Sequence, residues 1–181
     1  MKTTRPISLV LLALCLAFAP QSAFSQTPEI DALKEKSEKG DVDAQFRLGS
    51  IYFNGDGVPE NRKEAVKWLR KAAEQGHSFA QYALGHLYAK GESVPEDDKE
   101  AVKWYRKAAE QGHANAQNNL GRMFYNGEGV PGNYAEAYKW FNLAAAQGDE
   151  LAKKNKANIA RKMTPQQIAE AQRLSAAFKP R

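Results

Sequence analysis

The sequence predicts an all-α fold: an α/α solenoid of helix-turn-helix units with capping helices. Three observations predict it. The chain repeats itself with a period of 36 residues. Each period carries two stretches whose apolar residues fall at helical spacing. Glycine, proline and capping residues recur at the register where those helices must start and stop.

The units run 40–75, 76–111 and 112–147. The first two share 22 of 36 residues without a gap and the second and third share 17, agreement that chance does not produce at a fixed period. A fourth unit begins at Gly148, keeps Ala152 and then degenerates. Self-similarity of this length signals stacked supersecondary units that bury a core only against their neighbours.

Within each unit the first helix is read from Ala44, Leu48, Ile51 and Tyr52, repeated as Ala80, Leu84, Leu87, Tyr88 and as Ala116, Leu120, Met123, Phe124. These fall at i, i+4, i+7 and i+8, one apolar stripe. The second helix carries Ala65, Trp68, Leu69, Ala72 and Ala73, with Trp104 and Trp140 at equivalent positions. Alternation of small and large residues lets a tryptophan fill the space left by alanines on a neighbour. Lys67, Arg70, Lys71 and Glu74 lie opposite and face water.

The boundaries agree. Asn61, Asp97 and Asn133 stand three residues before Glu64, Glu100 and Glu136, a capping-box-like start. Gly76, Gly112 and Gly148 follow the second helices, where glycine can take the left-handed conformation that ends a helix. Asn54–Pro59, Lys90–Pro95 and Asn126–Pro131 read as tight loops. Gly49, Gly85 and Gly121 fall inside the first helices, each at about 1 kcal/mol relative to alanine. The expected reason is close approach of a neighbouring helix backbone.

The string Ala80, Leu84-Gly85, Tyr88, Gly91, Val94-Pro95, Lys99-Glu100-Ala101 and Trp104–Ala109 resembles the Sel1-like repeat. The resemblance covers 40–147 well and 148–162 in part. It implies a solenoid related to tetratricopeptide repeats, in a family whose members mostly act as adaptors or scaffolds, often in the bacterial envelope.

The ends are read as caps. Ile30, Leu33 and Ser37 align with Val66, Leu69 and Ala73, so 26–39 is expected to hold an unpaired second helix. In 148–181, Thr164-Pro165-Gln166-Gln167 is a helix start, and Ile168, Ala171, Leu174, Ser175 and Phe178 form the stripe of a C-terminal capping helix. Docking of that helix on a partner is the alternative.

Residues 1–25 have the layout of a secretory signal peptide. Lys2 and Arg5 precede an apolar run from Ile7 to Ala19, and Ala23-Phe24-Ser25 suits cleavage before Gln26. The run is too short for a stable membrane anchor. Leu14 before Cys15 and the apolar residues after it argue against lipidation. Export to the periplasm or beyond is therefore expected. Without the leader the net charge falls from +5 to +3, and no cysteine remains for a disulfide, nucleophile or thiolate ligand. Charges of both signs interleave, so nucleic acid is not an expected partner. The basic stretch Lys153–Lys162 is read as a solvated helix end.

No catalytic constellation, cofactor motif or metal set stands out. His77 and His113 share a register one unit apart, too distant to share a metal, and read as polar residues at helix starts. His86 reads as surface. The Gly-x-Gly loops follow no strand, carry an acidic residue and lack the carboxylates of a calcium loop.

Function is therefore sought in positions that vary between units. The tetratricopeptide relationship implies that the first helices line a concave face. By register, the expected partner-binding residues are Phe46, Phe53, Phe79, Tyr82, His86, Asn118, Arg122 and Tyr125. Aromatic and arginine side chains dominate protein-binding surfaces. The reading is a monomeric, non-catalytic interaction module whose partner is an envelope, host or toxin protein. A cell-wall ligand binder or a hydrolase of β-lactam or peptidoglycan type is the alternative, weakened because the relatives that suggest it are cysteine-rich.

Overall fold

The computed structural model describes residues 28–180. The expected signal peptide lies outside the described residues. Among them are nine helices and no strand: α1 (Pro28–Glu38), α2 (Val42–Asn54), α3 (Arg62–Glu74), α4 (Ser78–Lys90), α5 (Asp98–Glu110), α6 (Ala114–Asn126), α7 (Tyr134–Ala146), α8 (Glu150–Ala160) and α9 (Pro165–Ala176). The pairs α2–α3, α4–α5 and α6–α7 are the three repeating units, and each second helix packs in turn on the next first helix. None of the described helices is long and apolar enough to cross a membrane.

Capping side chains set where the helices begin. Asn61, Asp97 and Asn133 accept the backbone N–H of Glu64, Glu100 and Glu136. The reciprocal half of the box is absent in α3; the Glu64 carboxylate instead accepts from Lys67 and from the Trp68 indole. His77 and His113 are themselves N-caps: their Nδ1 atoms accept from Ala80 N and Ala116 N at 3.2 and 3.3 Å. Asp41 and Asp149 hold the same position at the two ends of the array.

The core is a row of small-to-large contacts. Leu48, Leu84 and Leu120 are fully buried, as are Ala65, Ala101 and Ala137. The helical glycines correct one expectation. A Cβ on Gly85 would lie 2.6 Å from the Tyr105 ring, one on Gly121 2.7 Å from Phe141 and one on Gly49 2.9 Å from Leu69. The nearest obstacle is thus a side chain of the second helix; backbone atoms of Leu69 and Ala137 lie slightly farther. The large residue at this register is housed by deleting the methyl group opposite it.

A polar ladder runs beside the apolar core. Gln45, Gln81 and Gln117 are buried and donate to Ser37 O, Ala73 O and Ala109 O, carbonyls in the preceding second helix. Gln75, Gln111 and Gln147 donate in turn to the side-chain oxygens of those glutamines and to Gly40 O, Gly76 O and Gly112 O. Buried amides are tolerated because each finds a partner.

The ends depart from the repeat. In α1, Ile30, Leu33 and Ser37 are buried and the helix packs on α2. At the other end Thr164 and Gln167 form a complete capping box for α9, with Pro165 in its first turn. This helix packs along α7. Lys71 and Lys107 cover the rings of Trp68 and Trp104 at 4.4 and 4.3 Å. The third unit has Leu143 there, packed in one cluster with Ile168 and Phe178 of the C-terminal segment. Phe178 meets the Trp140 ring edge-on, centroids 5.6 Å apart.

Candidate functional site

The face built by the first helices carries three clefts, one at each junction between successive units. The first lies between α2 and α4. Leu69 is its floor and Phe53, Tyr82, Ala83, His86 and Leu87 line it. The second lies between α4 and α6 over Tyr105, with His86, Lys90, Asp98, Asn119, Arg122 and Glu128 around it. The third lies between α6 and α8 over Phe141, with Arg122, Tyr125, Asn126, Asn155 and Asn158. Each floor residue is the side chain that sits on a helical glycine, so the packing that holds a unit together also sets the depth of its cleft.

The expected binding residues divide on this face. Phe53, Tyr82, His86, Arg122 and Tyr125 line clefts. Phe46 does not: it is half-buried and stacks on the His77 ring at 4.4 Å. Phe79 is 57 % exposed at the edge of the face, its ring 4.8 Å from that of His113. Asn118 is a correction. It is buried, and its Oδ1 accepts from Asn155 Nδ2 at 2.9 Å. Phe46 and Tyr82 at this register stack on the cap histidines His77 and His113 of the following unit; the fourth unit has Asp149 as its cap, and Asn118 instead ties α6 to α8 through Asn155.

Two residues that the sequence reading does not single out pack on cleft-lining aromatics. Arg62 lies 4.0 Å over the Phe53 ring, and Tyr134 stacks on Tyr125 with centroids 5.6 Å apart. Arg62, Asp98 and Tyr134 occupy one register, nine residues after Phe53, Ala89 and Tyr125. The signal was present as covariation between units: an aromatic at one position accompanies a cation or aromatic at the other, and Ala89 accompanies neither.

The electrostatics follow burial. Desolvation, with the nearby Tyr82 acting in the same direction, pushes the Tyr105 phenol well above its usual value, so it stands in the second cleft as a neutral O–H. Burial lowers the pKa of His113, whose Nε2 is buried without a hydrogen-bond partner. Lys162 donates to the Tyr125 hydroxyl, which holds its charge more firmly. No group of three or more His, Cys, Asp or Glu among the described residues could hold a metal ion.

The Sel1 repeat profile matches residues 42–77, 78–113 and 114–149. The chain belongs to the Sel1 repeat family. Those boundaries start two residues later than the frame beginning at Gly40, so each Sel1 repeat opens on its first helix. Among solved structures the chain is similar to a Sel1 repeat protein from Oxalobacter formigenes, with 44% identity and a TM-score of 0.68 over 72% of this chain and 98% of that one. It is similar to the protective antigen c5321 of uropathogenic Escherichia coli, with 30% identity and a TM-score of 0.63 over 82% of this chain and 40% of the antigen. Cysteine rich protein B of Helicobacter pylori gives 27% identity and a TM-score of 0.55 over 71% of this chain and 96% of that one. No curated protein sequence matches the chain. Sel1 repeat proteins generally mediate protein–protein interaction and are generally non-catalytic.

Proposed function

We propose that this Sel1 repeat protein is a non-catalytic adaptor, scaffold or inhibitor that holds a protein partner across its first-helix face, in the bacterial periplasm or outside the cell. One observation carries the reading: three clefts lie in a row on that face, walled by the positions that differ most between repeats. Phe53, Tyr82, Arg122 and Tyr125 stand at the cleft walls, as aromatic and arginine anchors of a partner surface do. The invariant positions, by contrast, are occupied with packing and with the glutamine ladder. The signal-peptide layout of residues 1–25 supports export.

The experiment is affinity capture. Protein beginning at Gln26 is immobilised and exposed to envelope extract of its own cell beside a Tyr82→Ala/Arg122→Ala variant of equal helicity. A protein retained by the parent and lost by the variant is the expected result. Equal retention by both removes the first-helix face from consideration.

A further inference from the structure

The first-helix face changes charge along the array. In the first repeat its variable registers hold Phe46, Ser50, Phe53 and Asn54, steps of three and four residues on one side of α2, and none is charged. The same registers at the fourth unit hold Lys154, Asn158, Arg161 and Lys162. The second and third repeats contribute one cation each, Lys90 and Arg122. No aspartate or glutamate stands at any of these registers in any unit. The five cations are exposed, and none forms an ion pair among the described residues. The outer side is different: Lys67, Lys103 and Lys139 each meet a glutamate three residues away, at 3.0, 3.0 and 3.3 Å.

The third cleft is where this charge gathers. Arg122 is its sole charged lining residue; Asn126 and Tyr125 lie beside it on α6, and Asn158 lines it from α8. Lys162 donates to the Tyr125 hydroxyl and lies 4.8 Å from the ring centroid. Lys154 and Arg161 stand one turn to either side of Asn158 on the same side of α8. Carboxylates do line the second cleft, where Asp98 and Glu128 face Lys90 and Arg122. None lines the third. An arginine fork receives a carboxylate through two N–H groups at once, and neighbouring amides add donors. Cations gathered without counter-charge repel one another, so a partner that brings carboxylates relieves that repulsion as it binds. Arg122 and Asn158 line a recess between two helices, which a projecting side chain enters and a flat layer of headgroups only spans.

Resting on the protein-binding reading above, we infer that the end of this face from Arg122 to Lys162 docks an acidic segment of the partner protein. One aspartate or glutamate carboxylate sits on Arg122 in the third cleft, and further carboxylates lie over Lys154, Arg161 and Lys162. The first cleft, which no Lys, Arg, Asp or Glu lines, has no part in reading charge.

The test is selection of binders to the full chain from a displayed library of random peptides about twelve residues long. Selected sequences are remade as fluorescein-labelled peptides and measured by anisotropy. The expected pool is enriched in Asp and Glu. Arg122→Gln/Lys154→Gln/Arg161→Gln weakens these peptides by at least about tenfold. Glutamine for glutamate in the peptide does the same, and combining the two changes weakens binding little further. Raising salt from about 0.05 M to about 0.5 M weakens the parent more than this variant. Lys67→Gln/Lys71→Gln/Lys103→Gln removes equal charge from the outer side and leaves affinity within about twofold; melting curves establish that every variant is folded. A pool without acidic enrichment, equal losses in the two triple variants, or no selected peptide overturns the inference. So does binding of phosphatidylglycerol vesicles that the face variant loses while no acidic peptide is selected, which assigns the face to a lipid surface. If the selected peptides lack acidic residues yet are lost on Tyr82→Ala, the acidic assignment fails alone. If no peptide is selected and capture from envelope extract also returns nothing, the protein-binding reading fails with it.

Discussion

Gln111 reaches thirty residues back along the chain to Gln81, its Nε2 lying 2.7 Å from the Gln81 side-chain oxygen. The same amide donates to Gly76 O at 2.8 Å, and Gln81 donates to Ala73 O at 3.0 Å. One buried side chain thus joins two repeats and the turn between them. Gln81→Ala removes two hydrogen bonds, the one to the Ala73 carbonyl, which keeps the Gly76 N–H, and the one from Gln111, and is expected to destabilise by about 2 kcal/mol. Gln111→Ala, at a more exposed position, is expected to lose about 1 kcal/mol. Urea unfolding of both variants checks the order; equal losses mean the ladder contributes no more than its exposed end.

The loop between the paired helices gives an opposed pair of predictions. Gly57 and Gly129 take positive φ at the register where the second repeat has Ser93, with φ 66°. Ser93→Gly relieves a left-handed non-glycine residue and is expected to stabilise by about 1 kcal/mol. Gly129→Ala does the reverse, because a Cβ there overlaps the Asp98 carbonyl. A rise in melting temperature for the first and a fall for the second is the expected pattern.

Acid should loosen the junction between the second and third repeats. The His113 ring caps α6 through Nδ1, stacks on Tyr82 at 4.8 Å and is met edge-on by Phe79. Protonating Nδ1 destroys the cap and places a positive charge at a helix N-terminus. The pKa of His113 is lowered in the fold, so its contribution is complete above the unfolded value of about 6.5 and is lost as pH falls below it through the folded value. His77 differs in facing the Asp43 carboxylate, its Nε2 3.4 Å away. Denaturant midpoints at pH 7.5 and pH 5 are expected to differ more for the parent than for His113→Asp, which borrows the cap found at Asp149. An equal difference refutes the assignment.

Trp104→Ala removes a buried ring at the middle of the array, packed with Ala72, Ala73 and Leu84. The expected loss is about 3–5 kcal/mol, read as a fall in the urea midpoint. An unchanged midpoint would contradict the small-to-large packing described here.

Leu143→Lys restores the residue type of the earlier repeats and should release α9 from α7. The expected sign is faster amide exchange confined to residues 165–176, with α2–α5 unaffected. Unchanged exchange in α9 would place its anchorage elsewhere.

The period, the helices and most of the caps were legible because each is a local pattern: an apolar stripe, an Asn three residues before a Glu, a glycine after the last turn. Residues that act between repeats were harder to read. Gln81 lies beside the apolar stripe and looks solvated until its partners at −8 and +30 are known. Asn118 shares a register with Phe46 and Tyr82, yet it is buried, since that register answers to whatever the next repeat supplies. A glycine inside a helix signals a close contact without naming its partner: the nearest atoms are side-chain atoms of Leu69, Tyr105 and Phe141, with backbone of Leu69 and Ala137 slightly farther. Phe53 and Tyr125 stand out as aromatics on the first helices, whereas Arg62 and Tyr134 lie across a loop and are linked to them only by their ring contacts.

The glutamine ladder has a genetic consequence. The three repeats use the same offsets, Gln75 to Gln45, Gln111 to Gln81 and Gln147 to Gln117, each pair supplied from inside one 36-residue period. A tandem duplication of residues 76–111 would therefore arrive with both halves of its joints already cut, needing no compensating change in its neighbours. The third repeat cannot be copied so freely, because Leu143 is committed to the C-terminal helix. Lineages of such proteins should lengthen from the middle, gaining one cleft per duplication and keeping their two ends.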